Sequence, residues 1–181
     1  RGLGDVYKRQ AIGADRALAE ALKEAGLQRE DIDALVTTGY GRTAIKNGDK
    51  SITEITCHAL GAVHLFQHPD LTVIDIGGQD TKIIQIEQGF VKDFIMNDKC
   101  AAGTGRFLEV MANTLSLRPN EMFDLARLGS DTTISSMCTV FAESEVIGLI
   151  GKGEPKENIA YAVVNSTIRK VAAQVLSLIH I

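Results

Sequence analysis

Hydrophobic residues recur at helical spacing in some segments of this chain and in short continuous runs in others, a pattern typical of α/β proteins. Amphipathic helices are predicted over 11–27 and over a long segment that begins with Pro155 as its first residue. Three apolar runs, 71–76, 82–87 and 90–96, are predicted to be strands, because glycine or polar turn residues separate them. The pattern further predicts a short strand over 33–38 and helices over 51–66, 106–115, 120–128 and 140–150.

Turn and cap residues predict where several elements begin and end. Gly26 is placed to end the first helix. Ser51 and Glu54 have the spacing of a capping box, which predicts that the second helix begins at Ser51. Gln88 and Gly89 are predicted to form the hairpin turn between the last two strands.

Composition narrows the class of protein. The chain has 181 residues, 45% hydrophobic and 23% charged, which is typical of a globular protein with one domain or two small lobes. The net charge of −4 argues against a nucleic-acid-binding surface. No apolar run reaches the ~20 residues of a membrane helix, and no secretory leader opens the chain. Three widely spaced cysteines are too few for a disulfide framework, so a reduced, cytoplasmic protein without membrane contact is expected.

The two ends of the chain are related through their coding DNA. One back-translation of residues 5–10 (DVYKRQ) is the reverse complement of a coding sequence for residues 176–181 (LSLIHI). Such a pair is typical of an adapter read through at both ends of a DNA fragment. We therefore expect residues 1–10 and 176–181 to be non-native, and the native part, 11–175, to be cut at both ends.

An aspartate followed by two glycines closes the strand over 71–76. Without side chains, Gly77 and Gly78 would let backbone N–H groups approach a phosphate, and Asp75 could hold Mg²⁺ through water. The alternative is an ordinary hairpin turn with a surface aspartate, and the residues alone leave both open. The stretch matches neither the phosphate loop ending in GK[ST] nor the dinucleotide motif GxGxxG.

Two cysteines each precede a predicted helix. Helix N-termini favour a thiolate, so Cys100 and Cys138 could ligate an anionic metal cluster. The alternative is that both are buried as small hydrophobic residues, and their separation by 37 residues, which fits no standard metal motif, favours this alternative. Cys57 lies within a predicted helix and is expected to pack there.

Several stretches together resemble one family. They are TTGYGR (37–42), ITCHALGA (55–62), VIDIGGQDTK (73–82), NDKCAAGTGRFLEVMA (97–112) and CTVFAESEVI (138–147). They are similar to the ATP-dependent activators of 2-hydroxyacyl-CoA dehydratases, the BadF/BadG/BcrA/BcrD ATPase family, over nearly all of 11–175. The resemblance implies an α/β, actin-like fold in incomplete form, with 11–70 as the remainder of a first lobe and 71–175 as the second.

The same resemblance implies a function, cofactors and partners. It implies an ATP-dependent one-electron reductase that activates an acyl-CoA dehydratase or reductase, with ATP or ADP, Mg²⁺ and a 4Fe–4S cluster as cofactors. Ferredoxin or flavodoxin would be the electron donor. Cys100 and Cys138 match the cluster ligands, and a homodimer would supply the four thiolates that such a cluster takes.

By motif match, residues 75–80 form the family's second phosphate loop. Gly77, Gly78 and Gln79 would line the phosphates, Asp75 or Asp80 would serve Mg²⁺ or the attacking water, and Gly103, Thr104 and Gly105 would form a close-packed helix start beside the cluster. The first phosphate loop and the adenosine loop of the fold have no match here, so this chain alone is expected to bind ATP poorly. The alternatives are a small-molecule, sugar-type kinase of the same fold and a nucleotide- or cluster-binding module without turnover.

Overall fold

The computed structural model describes the backbone of residues 3–135 and 138–179 and the side chains of 11–135 and 138–178. The chain divides into two compact units, Arg1–Gln67 and His68–Ile181. The elements, in chain order, are α1 (Leu3–Ala25), β1 (Val36–Thr37), β2 (Lys50–Ser51), α2 (Glu54–Phe66), β3 (Leu71–Ile76), β4 (Thr81–Glu87), β5 (Phe90–Asn97), α3 (Gly105–Thr114), α4 (Pro119–Ala126), α5 (Thr139–Gly151) and α6 (Lys156–Ile179).

The first unit contains α1, α2 and a minimal parallel pair of strands. The α1 helix ends just before Gly26, as predicted. The strand predicted over 33–38 is only two residues long, and Val36 pairs with Lys50 in β2. The predicted start of α2 at Ser51 is wrong, because Ser51 belongs to β2. The N-cap is Thr53, whose hydroxyl accepts a hydrogen bond from the Thr56 amide.

The second unit begins with an antiparallel sheet in the order β3-β4-β5, whose three strands match their predicted positions to within one residue. The predicted turn at Gln88 and Gly89 is confirmed, with positive φ values of 52° and 82°. Positive φ at both central residues suits the right-handed twist of the flanking strands. Asp70 accepts the Gln88 amide at 2.8 Å, which ties the base of β3 to this turn.

Four helices, α3 to α6, enclose the hydrophobic core of the second unit. Met111, Met122, Val146 and Val163 are fully buried there. Pro119 is the first residue of α4, a position where its missing N–H carries no penalty. Burial of these side chains stabilises the unit by about 1.5–3 kcal/mol each. The core therefore holds the helices that follow the glycine turn and the two cysteines.

The last helix continues through the segment expected to be non-native. Leu178 is only 5% exposed, so the segment 176–181, although expected to be non-native, packs at this residue. The side chains of 1–10 lie outside the described residues, and the non-native origin of both segments remains a prediction. No helix in the described part of the chain combines the length and apolar character needed to cross a membrane.

Candidate functional site

The turn between β3 and β4 is tight on one side and open on the other. The Gly77 amide donates to the Asp80 carbonyl at 2.8 Å, and a Cβ atom added to Gly77 would lie 2.8 Å from Asp80 Oδ1. Only glycine fits at that position without displacing the aspartate. A Cβ added to Gly78 would meet nothing within 4 Å, and Gly78 and Gln79 are both exposed. The turn can therefore present its backbone closely to an external group.

A buried lysine organises the charges beside this turn. Lys82 Nζ lies 2.6 Å from Asp80 Oδ1 and 3.7 Å from Asp75 Oδ2. The lysine and Asp80 are buried, whereas Asp75 is about one quarter exposed. Of the two predicted acidic residues, Asp75 is therefore the one better placed to meet a ligand.

No role was assigned to Lys82 from the sequence, although the hairpin offered a signal. Asp75 and Lys82 are direct partners in the antiparallel register of β3 and β4. Opposite residues of an antiparallel pair place their side chains on the same face of the sheet. A lysine beside a pair of isoleucines at the start of one strand, opposite an aspartate in its hairpin partner, is the pattern that indicates this pairing.

The glycine turn is bonded to the start of α3. The Gly105 and Arg106 amides donate to the carbonyl oxygens of Gly77 and Gly78, both at 2.8 Å. A Cβ added to Gly105 would lie 3.1 Å from the Gly77 oxygen and 3.3 Å from the Gly78 Cα. The predicted close packing at Gly105 is thus packing against the glycine turn.

The segment that carries Cys100 is held in place by the ends of β4 and β5. The hydroxyl of Thr81 donates to the Gly103 carbonyl at 2.6 Å, and Asn97 Nδ2 donates to the carbonyls of Cys100 and Ala102 at 2.9 Å. Thr104, the buried N-cap of α3, donates its own hydroxyl to the Ala101 carbonyl at 2.7 Å. The backbone around Cys100 is therefore fixed by side chains from the sheet.

The two candidate ligand cysteines are both exposed free thiols of the second unit, not buried residues. Cys138 directly precedes α5, as predicted, and the structure makes it the N-cap of that helix. Cys100 precedes the start of α3 by five residues, and the first two amides of that helix are already bonded to Gly77 and Gly78. Cys100 therefore precedes α3, as predicted, but those two amides are already bonded and do not stabilise its thiolate.

The third cysteine differs from these two. Cys57 lies in the first unit, half buried, and its Sγ donates to Thr38 Oγ1 at 3.5 Å. Among the described residues, no group of three or more His, Cys, Asp or Glu side chains could hold a metal ion. A four-thiolate cluster on the two exposed thiols would thus require further ligands from outside the described residues.

A glycine turn with exposed backbone, joining two strands of an antiparallel sheet and abutting a helix start, suits the binding of phosphate groups. Here it lies in an α/β protein with the actin-like fold. Residues 4–181 match the model of the BadF/BadG/BcrA/BcrD ATPase family, and the chain belongs to that family. The resemblance noted in the sequence is thereby confirmed.

The relatives that match this chain include activators of acyl-CoA dehydratases. The activator of lactoyl-CoA dehydratase from Anaerotignum propionicum is 52% identical over 81% of this chain and 57% of its own length. The (R)-2-hydroxyglutaryl-CoA dehydratase activating ATPase from Acidaminococcus fermentans is 47% identical over 92% of this chain and 63% of its own length.

A solved structure agrees with this relationship. The activator of 2-hydroxyisocaproyl-CoA dehydratase from Clostridium difficile, solved with bound ADPNP, superposes with a TM-score of 0.79 at 42% identity. The match covers 91% of this chain and 62% of that structure. The chain thus spans about three fifths of the length of the relatives that it matches.

Proposed function

We propose that the full-length protein is an ATP-dependent activator that transfers single electrons to an acyl-CoA dehydratase or a related acyl-CoA reductase. Family membership supports ATP hydrolysis, and the names of the relatives support a dehydratase as the partner. The observation that carries the proposal is the bonding of the glycine turn to the start of α3, because it joins the phosphate-binding motif to the segment that contains Cys100.

Different residues of the glycine turn contact the phosphates and the Mg²⁺ ion of the bound nucleotide. The exposed backbone of Gly78 and Gln79 lines the terminal phosphates, and Gly77 makes the turn tight enough for that approach. The partly exposed carboxylate of Asp75 holds Mg²⁺ through water or orients the attacking water. Asp80 is buried against Lys82, so its part is to shape the turn.

Cys100 and Cys138 are the residues that would hold an iron–sulfur cluster. Both are exposed free thiols of one unit, whereas Cys57 is half buried in the other. Two thiols per chain fit a 4Fe–4S cluster only when a second copy contributes two more, which supports a homodimer. When bound, such a cluster supplies a one-electron carrier that ferredoxin or flavodoxin can reduce.

The hydrogen bonds of the second unit provide a physical connection between nucleotide and cysteine. A displacement of the Gly77–Gly78 turn must move Gly105 and Arg106, or break their bonds to it. Thr81, at the end of the same turn, holds Gly103 directly. Binding of a phosphate group to this turn would therefore shift the backbone within a few residues of Cys100.

The experiment that tests the proposal uses the full-length protein prepared without oxygen. Hydrolysis of Mg-ATP and reduction of a purified 2-hydroxyacyl-CoA dehydratase are measured together with iron content and dimerisation. We expect about four iron atoms per dimer and dehydratase activation that depends on ATP. A colourless protein that phosphorylates a sugar would instead establish a kinase, and iron without ATP turnover would establish a carrier module.

A further inference from the structure

We infer that Lys82 is a positioning residue of the phosphate site, whose ammonium group neutralises Asp80 beneath the glycine turn so that a polyphosphate can approach. This inference rests on the proposed nucleotide-binding function and assigns a role to a residue outside the phosphate loop. Lys82 Nζ is 2.6 Å from Asp80 Oδ1, and the lysine side chain is only 4% exposed. It is therefore engaged with the carboxylate and is not presented to a ligand.

Packing alone does not account for a lysine at this position. The residues that follow it in β4, Ile83 and Ile84, are fully buried, and an apolar side chain of similar volume would suit the same environment. Replacing a buried ion pair by apolar residues is often neutral or stabilising, so stability is a weak reason for a charge here. The reason is better sought in the group that the ammonium neutralises.

Asp80 lies where an uncompensated negative charge would oppose phosphate binding. Its Oδ1 atom is 2.8 Å from the position that a Cβ atom of Gly77 would take, directly against the turn. Its carbonyl oxygen also accepts the Gly77 amide. With Lys82 in place, Asp75, Asp80 and Lys82 carry a single net negative charge, which the partly exposed Asp75 can present to Mg²⁺.

The charge of the site should affect metal-free and metal-bound nucleotide differently. Metal-free ADP carries about two more negative charges than its Mg²⁺ complex, so an added negative charge in the site repels it more strongly. A substitution that only distorted the site would weaken the binding of metal-free ADP and of Mg-ADP equally. The ratio of the dissociation constant of metal-free ADP to that of Mg-ADP therefore reports the electrostatic role alone.

The test is calorimetric titration of the full-length protein with ADP, in Mg²⁺ and in chelator. In Lys82→Met we expect this ratio to rise about tenfold or more, and in Lys82→Arg, which keeps the charge, to stay within about twofold of the wild type. The matched control is Lys92→Met on β5, an exposed lysine that pairs with Glu87 and should leave both affinities unchanged.

A second pair of variants keeps the inference testable if Lys82→Met does not fold. Asp80→Asn removes one negative charge and should lower the ratio, and adding Lys82→Met to it should return the ratio towards the wild-type value. Equal changes in both affinities in every variant would overturn the inference and leave the proposed function intact. A wild-type protein that binds neither form of ADP would overturn the proposed nucleotide function itself, and the inference with it.

Discussion

The amide of Gly105 donates a 2.8 Å hydrogen bond to the carbonyl oxygen of Gly77. This bond and the neighbouring one, from the Arg106 amide to the Gly78 carbonyl, fix the start of α3 against the turn that follows β3. Neither glycine can gain a side chain without displacing an atom of its surroundings. The contact therefore depends on glycine at both ends, and it can be tested by substitution.

The first prediction contrasts the two glycines of the turn. Gly77→Ala should lower the free energy of unfolding by about 1–3 kcal/mol, because the new Cβ would lie 2.8 Å from Asp80 Oδ1. Gly78→Ala should change stability by less than about 0.5 kcal/mol, since nothing lies within 4 Å of its Cβ. In the full-length protein Gly78→Ala should nevertheless weaken Mg-ADP binding, as measured by calorimetry. Unchanged affinity in Gly78→Ala would place the phosphates elsewhere.

The second prediction concerns the iron ligands. Cys100→Ser or Cys138→Ser, in full-length protein prepared without oxygen, should abolish bound iron and the brown colour, because a 4Fe–4S cluster needs four thiolates. The control is Cys57→Ser, which alters the half-buried third cysteine and should leave the iron in place. Iron content and the visible spectrum provide the measurement. Loss of iron in Cys57→Ser with retention in Cys100→Ser would show that the ligand assignment is wrong.

The third prediction tests the close packing of Gly129 against the backbone at the start of α6. A Cβ atom on Gly129 would lie 2.1 Å from the Glu157 carbonyl oxygen, a backbone atom that cannot rotate away. Gly129→Ala should therefore destabilise the protein by about 3 kcal/mol or more in urea unfolding. Gly148→Ala, within α5 and with nothing within 4 Å, serves as the control and should raise stability by about 0.5–1 kcal/mol. Similar effects of the two substitutions would contradict the packing described.

The fourth prediction is a pH dependence at Glu154. Hydrogen bonds from Thr132 and then from Asn158 hold the pKa of the Glu154 carboxyl below its ordinary value of 4.5. A lowered pKa in the folded state means that this stabilisation is present above about pH 4.5 and is lost as the pH falls through the folded-state pKa. Unfolding measured from neutral pH down to about pH 3 should therefore show a smaller acid-induced loss of stability in Glu154→Gln than in the wild type. Identical dependence of stability on pH in the two proteins would show that Glu154 does not contribute in this way.

Local pattern determined much of the fold. Apart from α1, which begins eight residues before its predicted start, the helices and the strands from residue 71 to 97 lie close to their predicted positions. Periodic apolar residues, Pro119 and the Gln88–Gly89 turn act on their own neighbours in the chain. The family resemblance also came from contiguous motifs. Where local signals competed, prediction failed: Ser51 and Thr53 both suit an N-cap, and pairing with β1 placed Ser51 in a strand.

Only the tertiary structure decided how the site is assembled. The bonds from Gly105 and Arg106 to the glycine turn join residues almost thirty positions apart, and nothing in the local pattern specifies them. The same bonds show that the first amides of α3 are already used and do not serve Cys100. The antiparallel register places Lys82 opposite Asp75, and the folded turn brings its Nζ atom to 3.7 Å from Asp75 Oδ2 and 2.6 Å from Asp80 Oδ1. Spacing along the chain predicts the elements because their hydrogen bonds and side-chain faces are local, whereas the charges and close contacts of a site depend on which elements meet.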